Sequence, residues 1–444
     1  MKKPFLLFFC LFFFFLLTSK IKCKASCYTL TTTVKCDSIL LAEKKNNTDP
    51  SYTTYSTQHT SKYSFGGSFG YAYHFNRCKE GTYLIKKHEL EYYSAYLNYR
   101  SLEKDSSVYD MAFGLPTLEF GFLLARCNSI SIQGNKNDIH YKSHLGNQYT
   151  FYYGFRRDVL SGNKLDMGYA LENGLGITTT HYNKYNNVDN LFIGSVFSIY
   201  FGASLYGKYR FSSHWEAILE LGFKHYSNSG LDRPNLGSNT LGLQAKLNYY
   251  PSPILKKRKI YHRIPKIKPD FYLDMTAGWE GKALQEEWNY NQSLSNDNPN
   301  FRTAHYRIRS QWNTSLAGMF RYNLKYASGI AVDYSYITYT DAIQRTLDKT
   351  NVHGHHPNPH VLGVSLRHEV FYKQMSMAVS LGAYPYRHMG VVNKHLIYET
   401  VGLRHHPKHW HNFYISYNVK AHGMRADGLQ LNLGYCILKR KNLY

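Results

Sequence analysis

The stretch from Trp215 to Asn228, WEAILELGFKHYSN, decides how the chain is read. Its odd positions are Trp215, Ala217, Leu219, Leu221, Phe223, His225 and Ser227, while its even positions include Glu216, Glu220, Gly222, Lys224 and Asn228. Side chains at i and i+2 share one face of a strand, so the segment predicts a β-strand with an apolar face and a polar face. A base and a hydroxyl end the apolar stripe, on the side expected to meet lipid. A turn-rich stretch follows, carrying Ser229, Gly230, Asp232, Pro234, Asn235 and Gly237, and alternation then resumes at NTLGLQAKLNY. There Asn239, Leu241, Leu243, Ala245, Leu247 and Tyr249 form one face, so Asn239 joins the apolar stripe near its loop end. If the two strands pair as a hairpin, Asn239 lies across from the His225 region. Hydroxyl, imidazole and carboxamide then converge, and a serine nucleophile needs both an adjacent base and a partner that orients the base.

Composition supports a strand-rich protein in a membrane. The 444 residues have a low mean hydropathy of −0.45, yet 16% are aromatic and 42 are Tyr. Abundant Tyr with Gly and Asn fits many strands, tight turns and aromatic girdles. It excludes the aromatic-poor composition of a disordered chain. Lys and Arg exceed Asp and Glu by 53 to 30, giving a net charge of +23. Such a balance favours polyanionic partners. Nucleic acid is set aside because the chain opens like an exported protein: Met1-Lys2-Lys3, then an apolar run from Phe5 to Leu17, too short to span a bilayer. Residues 1–25 are therefore read as a signal peptide. With no later apolar helix, the expected home is the outer membrane of a Gram-negative cell. The anionic partner would be lipopolysaccharide, whose lipid A carries phosphates. The seven cysteines, including Cys78, Cys127 and Cys436, form no C-x-x-C pair and read as isolated thiols.

Along the chain, residues 26–62 read as a flexible arm. Strand patterns recur from 63 to 250: Ser64–Phe75, His88–Arg100, Thr117–Cys127, Gln148–Arg156, Lys164–Ile177, Tyr200–Phe211 and the hairpin already described. Residues 251–269, PSPILKKRKIYHRIPKIKP, read as a basic, proline-punctuated linker or turn. From 270 to 444 a further eight strand patterns follow, ending in the clean alternation of Leu429, Leu431, Leu433, Tyr435 and Ile437. The fold class is all-β, an antiparallel transmembrane barrel. A single ring of about 14 to 16 strands and an eight-stranded barrel with a second β-unit both fit the pattern, and the first is preferred.

The hexad His225-Tyr226-Ser227-Asn228-Ser229-Gly230, with Pro234-Asn235 beyond it, resembles the signature of the lipid A 3-O-deacylase (PagL-type) family, H-[FY]-S-N followed by a loop with P-N. Longer relatives resembling acyloxyacyl hydrolases are similar over most of the chain, through LGNQYTFYYG (145–154), LDMGYALENGLGI (165–177) and VKAHGMRADGLQLNLGY (419–435). The resemblance implies an outer-membrane carboxylic ester hydrolase that removes an ester-linked acyl chain from lipid A. It implies Ser227 as nucleophile, His225 as general base, and Asn228 and Asn235 as donors to the oxyanion. One position departs from the family, whose third catalytic residue is a Glu; here Asn239 stands in its place, able to orient an imidazole but not to stabilise imidazolium by charge. A catalytically inactive barrel (a pore, adhesin or structural protein) is therefore the alternative. No cofactor is implied. The histidines at 353–360 and 405–411 lack an acidic or Cys ligand at a metal-site spacing, so no metal site is assigned. Glu172, Glu216 and Glu220 are expected to face the lumen beside basic residues.

Overall fold

A computed structural model describes residues 52–59, 61–75, 84–134, 141–262, 267–304, 306–350, 356–389 and 396–437. The expected signal peptide, most of the expected N-terminal arm, His353, His355 and Cys78 lie outside them. Among the described residues twenty-one strands occur in chain order: β1 (Tyr52–His59), β2 (Tyr63–His74), β3 (Leu84–Lys86), β4 (Glu89–Arg100), β5 (Thr117–Arg126), β6 (Ser131–Gln133), β7 (Ser143–His144), β8 (Gln148–Ser161), β9 (Leu165–Thr178), β10 (Phe197–Arg210), β11 (Trp215–Ser227), β12 (Ser238–Tyr249), β13 (Ile254–His262), β14 (Asp270–Lys282), β15 (Arg309–Arg321), β16 (Tyr326–Ile337), β17 (His360–Tyr372), β18 (Met375–Arg387), β19 (Ile397–His405), β20 (Phe413–His422) and β21 (Arg425–Cys436).

Two closed barrels of eight strands result. In the first, β2, β4, β5, β8, β9, β10, β11 and β12 meander antiparallel until β12 pairs back on β2; in the second, β14 to β21 do the same and β21 closes on β14. The single-ring expectation is thereby corrected, because the strands β14 to β21, from Asp270 to Cys436, close on themselves rather than enlarging the first ring. Closure leaves no open edge among the strands of either barrel, which is what lets such strands stand in hydrocarbon. The segment expected to be a linker also differs. Ile254–His262 is a strand paired antiparallel with Tyr52–His59, part of the stretch expected to be a flexible arm.

Strand parity sorts the side chains as the sequence predicts. In β11 Glu216, Ile218, Glu220, Gly222 and Lys224 are buried, while Leu219 and Leu221 are exposed. The first lumen carries a balanced set of charges. Arg156 holds Glu119 at 2.8 Å and Glu220 at 3.2 Å, Lys246 holds the same two acids at 2.9 and 3.3 Å, and Lys224 holds Glu172 at 3.2 Å. Glu216 accepts from Asn248 and Tyr250. These charges are buried, and pairing is what makes burial tolerable. Arg367 and Arg404 do likewise around Asp274 and Glu369 in the second lumen. Outside, leucines, isoleucines and aromatics such as Phe151, Leu175, Leu243, Ile330, Leu366 and Leu431 form an exposed apolar surface on both barrels. No helix among the described residues is long and apolar enough to cross a membrane, and barrels cross with strands instead.

Contacts at both ends tie the barrels together. At the end with short turns, the helix Val108–Ala112 between β4 and β5 packs Tyr109 and Ala112 into the apolar cluster of the second barrel, beside Tyr272, Met319 and Phe371. Asp110 accepts a hydrogen bond from Tyr372 at 2.6 Å and an ion pair from Lys373 at 2.9 Å. Burial alone would raise its carboxyl, but these two partners outweigh burial and hold it below the ordinary range. At the opposite end, where the longer connections lie, the loop after Ser227 meets the second barrel.

Candidate active site

The β11–β12 hairpin places the predicted residues by register. His225 and Asn239 are directly opposed in the ladder, and the imidazole Nδ1 lies 2.7 Å from Asn239 Oδ1. Because a carboxamide oxygen accepts, Nδ1 carries the proton and Nε2 keeps its lone pair. His225 is half-buried on the outward face, with Phe223 stacked parallel at 6.5 Å and Phe75 next to Phe223 at 5.9 Å. Ser227 has the same parity, two residues on, opposite Ile199 of β10. It is only 5% exposed. Among the described residues its hydroxyl makes no hydrogen bond to the imidazole. By strand parity it lies on the same face as His225, two positions along.

The loop between the strands is built around its asparagines. The Asn228 carboxamide spends its N–H groups on Ser195 Oγ and the Asp232 carbonyl, both at 3.2 Å, and its oxygen accepts from the Gly230 N–H at 3.0 Å. Its side chain therefore shapes the loop. Asn235 Oδ1 accepts the backbone N–H of Asn228 at 3.1 Å, while its buried Nδ2 has no hydrogen-bond partner among the described residues. An orphaned buried donor is costly unless something charged arrives to use it. Of the two expected oxyanion donors, Asn235 is the one with an N–H to spare.

Four further residues have structural roles that a motif reading does not give. Gly237 has a positive φ of 74°, and a Cβ there would stand 2.7 Å from Cε1 of His225. Glycine is thus required both by the backbone and by the imidazole packed on it. The sequence shows it only as a turn residue. Arg233 and Ala283 form the clamp to the second barrel: Ala283 N–H donates to the Gly230 carbonyl at 2.7 Å, and Arg233 Nε donates back to the Ala283 carbonyl at 3.1 Å. Gly230, with φ 82°, comes so close to the second barrel that a Cβ would be 2.6 Å from the Asp427 carbonyl. Burial lowers the pKa of the Arg233 guanidinium, with Asp427, Glu286 and Asp232 opposing. No local pattern in the sequence could signal a partner fifty residues away on another barrel.

Residues 129–248 match the family model described as lipid A 3-O-deacylase (PagL), and residues 291–440 match that described as acyloxyacyl hydrolase, C-terminal domain. Together the two matches make the chain similar to the PagL-type family across parts of both barrels. The PagL match falls on the first barrel and carries the His225–Asn239 hairpin; the C-terminal-domain match falls on the second barrel. No curated protein matches the chain. Solved structures similar to it include a mutant porin of Rhodopseudomonas blastica, at 8% identity over 84% of this chain and 99% of that one with a TM-score of 0.16. The Pseudomonas putida toluene transporter TodX is similar at 8% identity over 89% and 98%, TM-score 0.16. The COG4313 outer membrane channel from Pseudomonas putida F1 is similar at 9% identity over 86% and 96%, TM-score 0.20.

Proposed function

We propose that this protein is a serine esterase of the outer membrane that removes an ester-linked acyl chain from the lipid A of lipopolysaccharide. The observation that carries the reading is the 2.7 Å contact of His225 Nδ1 with Asn239 on the outward face, with Ser227 next along the same stripe. Outward parity lets a lipid reach the site laterally through the bilayer, so no aqueous pocket is needed.

The chemistry follows from the proton inventory. Nε2 of His225 takes the proton of Ser227 Oγ as the oxygen attacks the acyl carbonyl. The negative charge moves to the carbonyl oxygen, where Asn235 Nδ2 donates to it. A donor of this kind typically contributes about 3 kcal/mol to the transition state. The tetrahedral intermediate collapses by breaking the bond to the sugar oxygen, which takes its proton from His225. Water then repeats the sequence on the acyl-enzyme, releasing the fatty acid and restoring Ser227. Asn239 holds the imidazole in the right tautomer throughout. It lacks the charge of a carboxylate, which makes the site slower than one with an acid at that position.

The neutral residue at 239, and the lack among the described residues of a hydrogen bond from Ser227 to His225, also favour a second reading, a barrel without catalysis. Mass spectrometry of lipid A from cells producing the wild type or the Ser227→Ala variant separates the two. Loss of one acyl chain with the wild type alone supports the esterase; fully acylated lipid A in both leaves the barrel reading.

A further inference from the structure

The loop end of the first barrel carries a second polar feature that the reaction does not use. A cleft of about 520 Å³, open to solvent, lies between the turn from β3 to β4 and the segment leading into β7. Its walls carry Lys86, Lys87 and Lys142 with Ser129, Ser131 and Tyr141, and no carboxylate is among its lining residues in the described part of the chain. The three ammonium groups are on exposed residues, and Lys86 sits 5.6 Å from the centre of the Tyr141 ring, joining the two walls. Lys87 is held at a φ of 58°, a conformation that costs a non-glycine residue energy and that persists where its surroundings impose it.

The cleft adjoins the outward stripe of the site through unbroken contacts. His88, next to Lys87, donates to the His74 carbonyl through Nδ1 at 2.7 Å and stacks on Tyr73 at 4.6 Å. The Phe75 N–H donates to the Asn239 carbonyl at 3.1 Å, and the Phe75 ring leads by Phe223 to His225. The strands run β11, β12, β2, β4 in space. Three strand spacings of about 4.8 Å separate the catalytic strand from the basic turn, roughly 14 Å along the barrel wall. That lies within reach of one glycolipid headgroup.

We infer that this lysine cleft binds a phosphomonoester of the same glycolipid whose acyl ester meets Ser227, and so sets which lipids the esterase accepts. The inference rests on the proposed esterase reading and names the part of the substrate that is recognised outside the acyl chain. Phosphate oxygens would accept from the three ammonium groups. The hydrolysis itself is unchanged.

The test compares the wild type with the triple variant Lys86→Gln, Lys87→Gln, Lys142→Gln on phosphorylated lipid A and on lipid A stripped of its phosphates, in mixed micelles. Loss of three surface cations is expected to raise KM for the phosphorylated lipid on the order of 10- to 100-fold with kcat kept. On the dephosphorylated lipid the two proteins should coincide. Equal KM values on the phosphorylated lipid, or an equal loss on both lipids, would overturn the assignment. Inorganic phosphate is the second probe. Inhibition by it at concentrations matching the lipid would mark a site for free phosphate and also overturn the proposal; weak competition that vanishes in the variant supports it. A binding arm with Ser227→Ala on vesicles containing phosphorylated lipid A keeps the two readings apart. Lysine-dependent binding with no hydrolysis by the wild type would remove the esterase and leave the cleft; hydrolysis without lysine dependence would do the reverse.

Discussion

Removing the Asn239 carboxamide should cost activity by an amount the geometry sets. In Asn239→Ala the Nδ1–H of His225 loses its 2.7 Å acceptor while remaining half-buried beneath Phe223 and Gly237. The hydrogen bond and the stranded donor together amount to about 2–3 kcal/mol. If the loss falls on the transition state, where imidazole becomes imidazolium, kcat drops roughly 30- to 150-fold. Asn239→Asp runs the other way. A carboxylate opposite imidazolium makes a charge-assisted bond about twice as strong as the neutral one. Desolvating the carboxylate offsets part of that gain. A net of about 1 kcal/mol, or a rise in kcat of roughly 5-fold, is the expected outcome. The assay is release of free fatty acid from purified lipid A by the detergent-solubilised protein, with KM followed to separate binding from chemistry. An Asn239→Ala enzyme as fast as the wild type would refute the argument that Asn239 orients the base, and so would an Asn239→Asp enzyme slower than Asn239→Ala.

Further outcomes follow from the same structure. Asn235→Asp keeps the oxygen that accepts from Asn228 N–H but removes the orphaned Nδ2 donor; kcat should fall on the order of 100-fold with the fold intact by circular dichroism. Gly237→Ala drives a methyl to 2.7 Å from the imidazole at a backbone φ of 74°, so activity should fall at least roughly 10-fold, which fatty-acid release would read. At the other end of the barrels, burial and the nearby Arg157 push the Lys325 ammonium down from 10.5 to about 8, where it donates to the Ala112 carbonyl. Between those values the unfolded chain binds more protons than the folded one, so stability should rise as pH increases across that window, on the order of 2 kcal/mol. Lys325→Met should be more stable at neutral pH and lose that dependence, as urea unfolding in micelles at several pH values would show.

All sixteen barrel strands were legible because alternation is a local signal: each residue's face follows from its neighbours two positions away. Ring number was not. The strand β12 pairs with β2, and β21 with β14, and nothing in a period-two pattern says whether the next strand extends a sheet or begins a new one. The same limit hid the pairing of Ile254–His262 with Tyr52–His59, because prolines and lysines dominate that segment and its partner lies some two hundred residues earlier. In the site, parity brought His225 and Asn239 to one face, and the ladder register made them direct partners. The division of labour between the two loop asparagines was out of reach. Asn228 and Asn235 look equivalent in the sequence, and only the fold shows one carboxamide spent on the loop and the other holding a free N–H.

The central claim is that Ser227 is a nucleophile activated by His225 on the lipid-facing side. Incubation of the solubilised protein with a long-chain fluorophosphonate, followed by peptide mass spectrometry, tests it directly. One adduct is expected, on Ser227, and none in His225→Ala. An unlabelled Ser227 in protein that still releases fatty acid, or an adduct on some other residue, would contradict it.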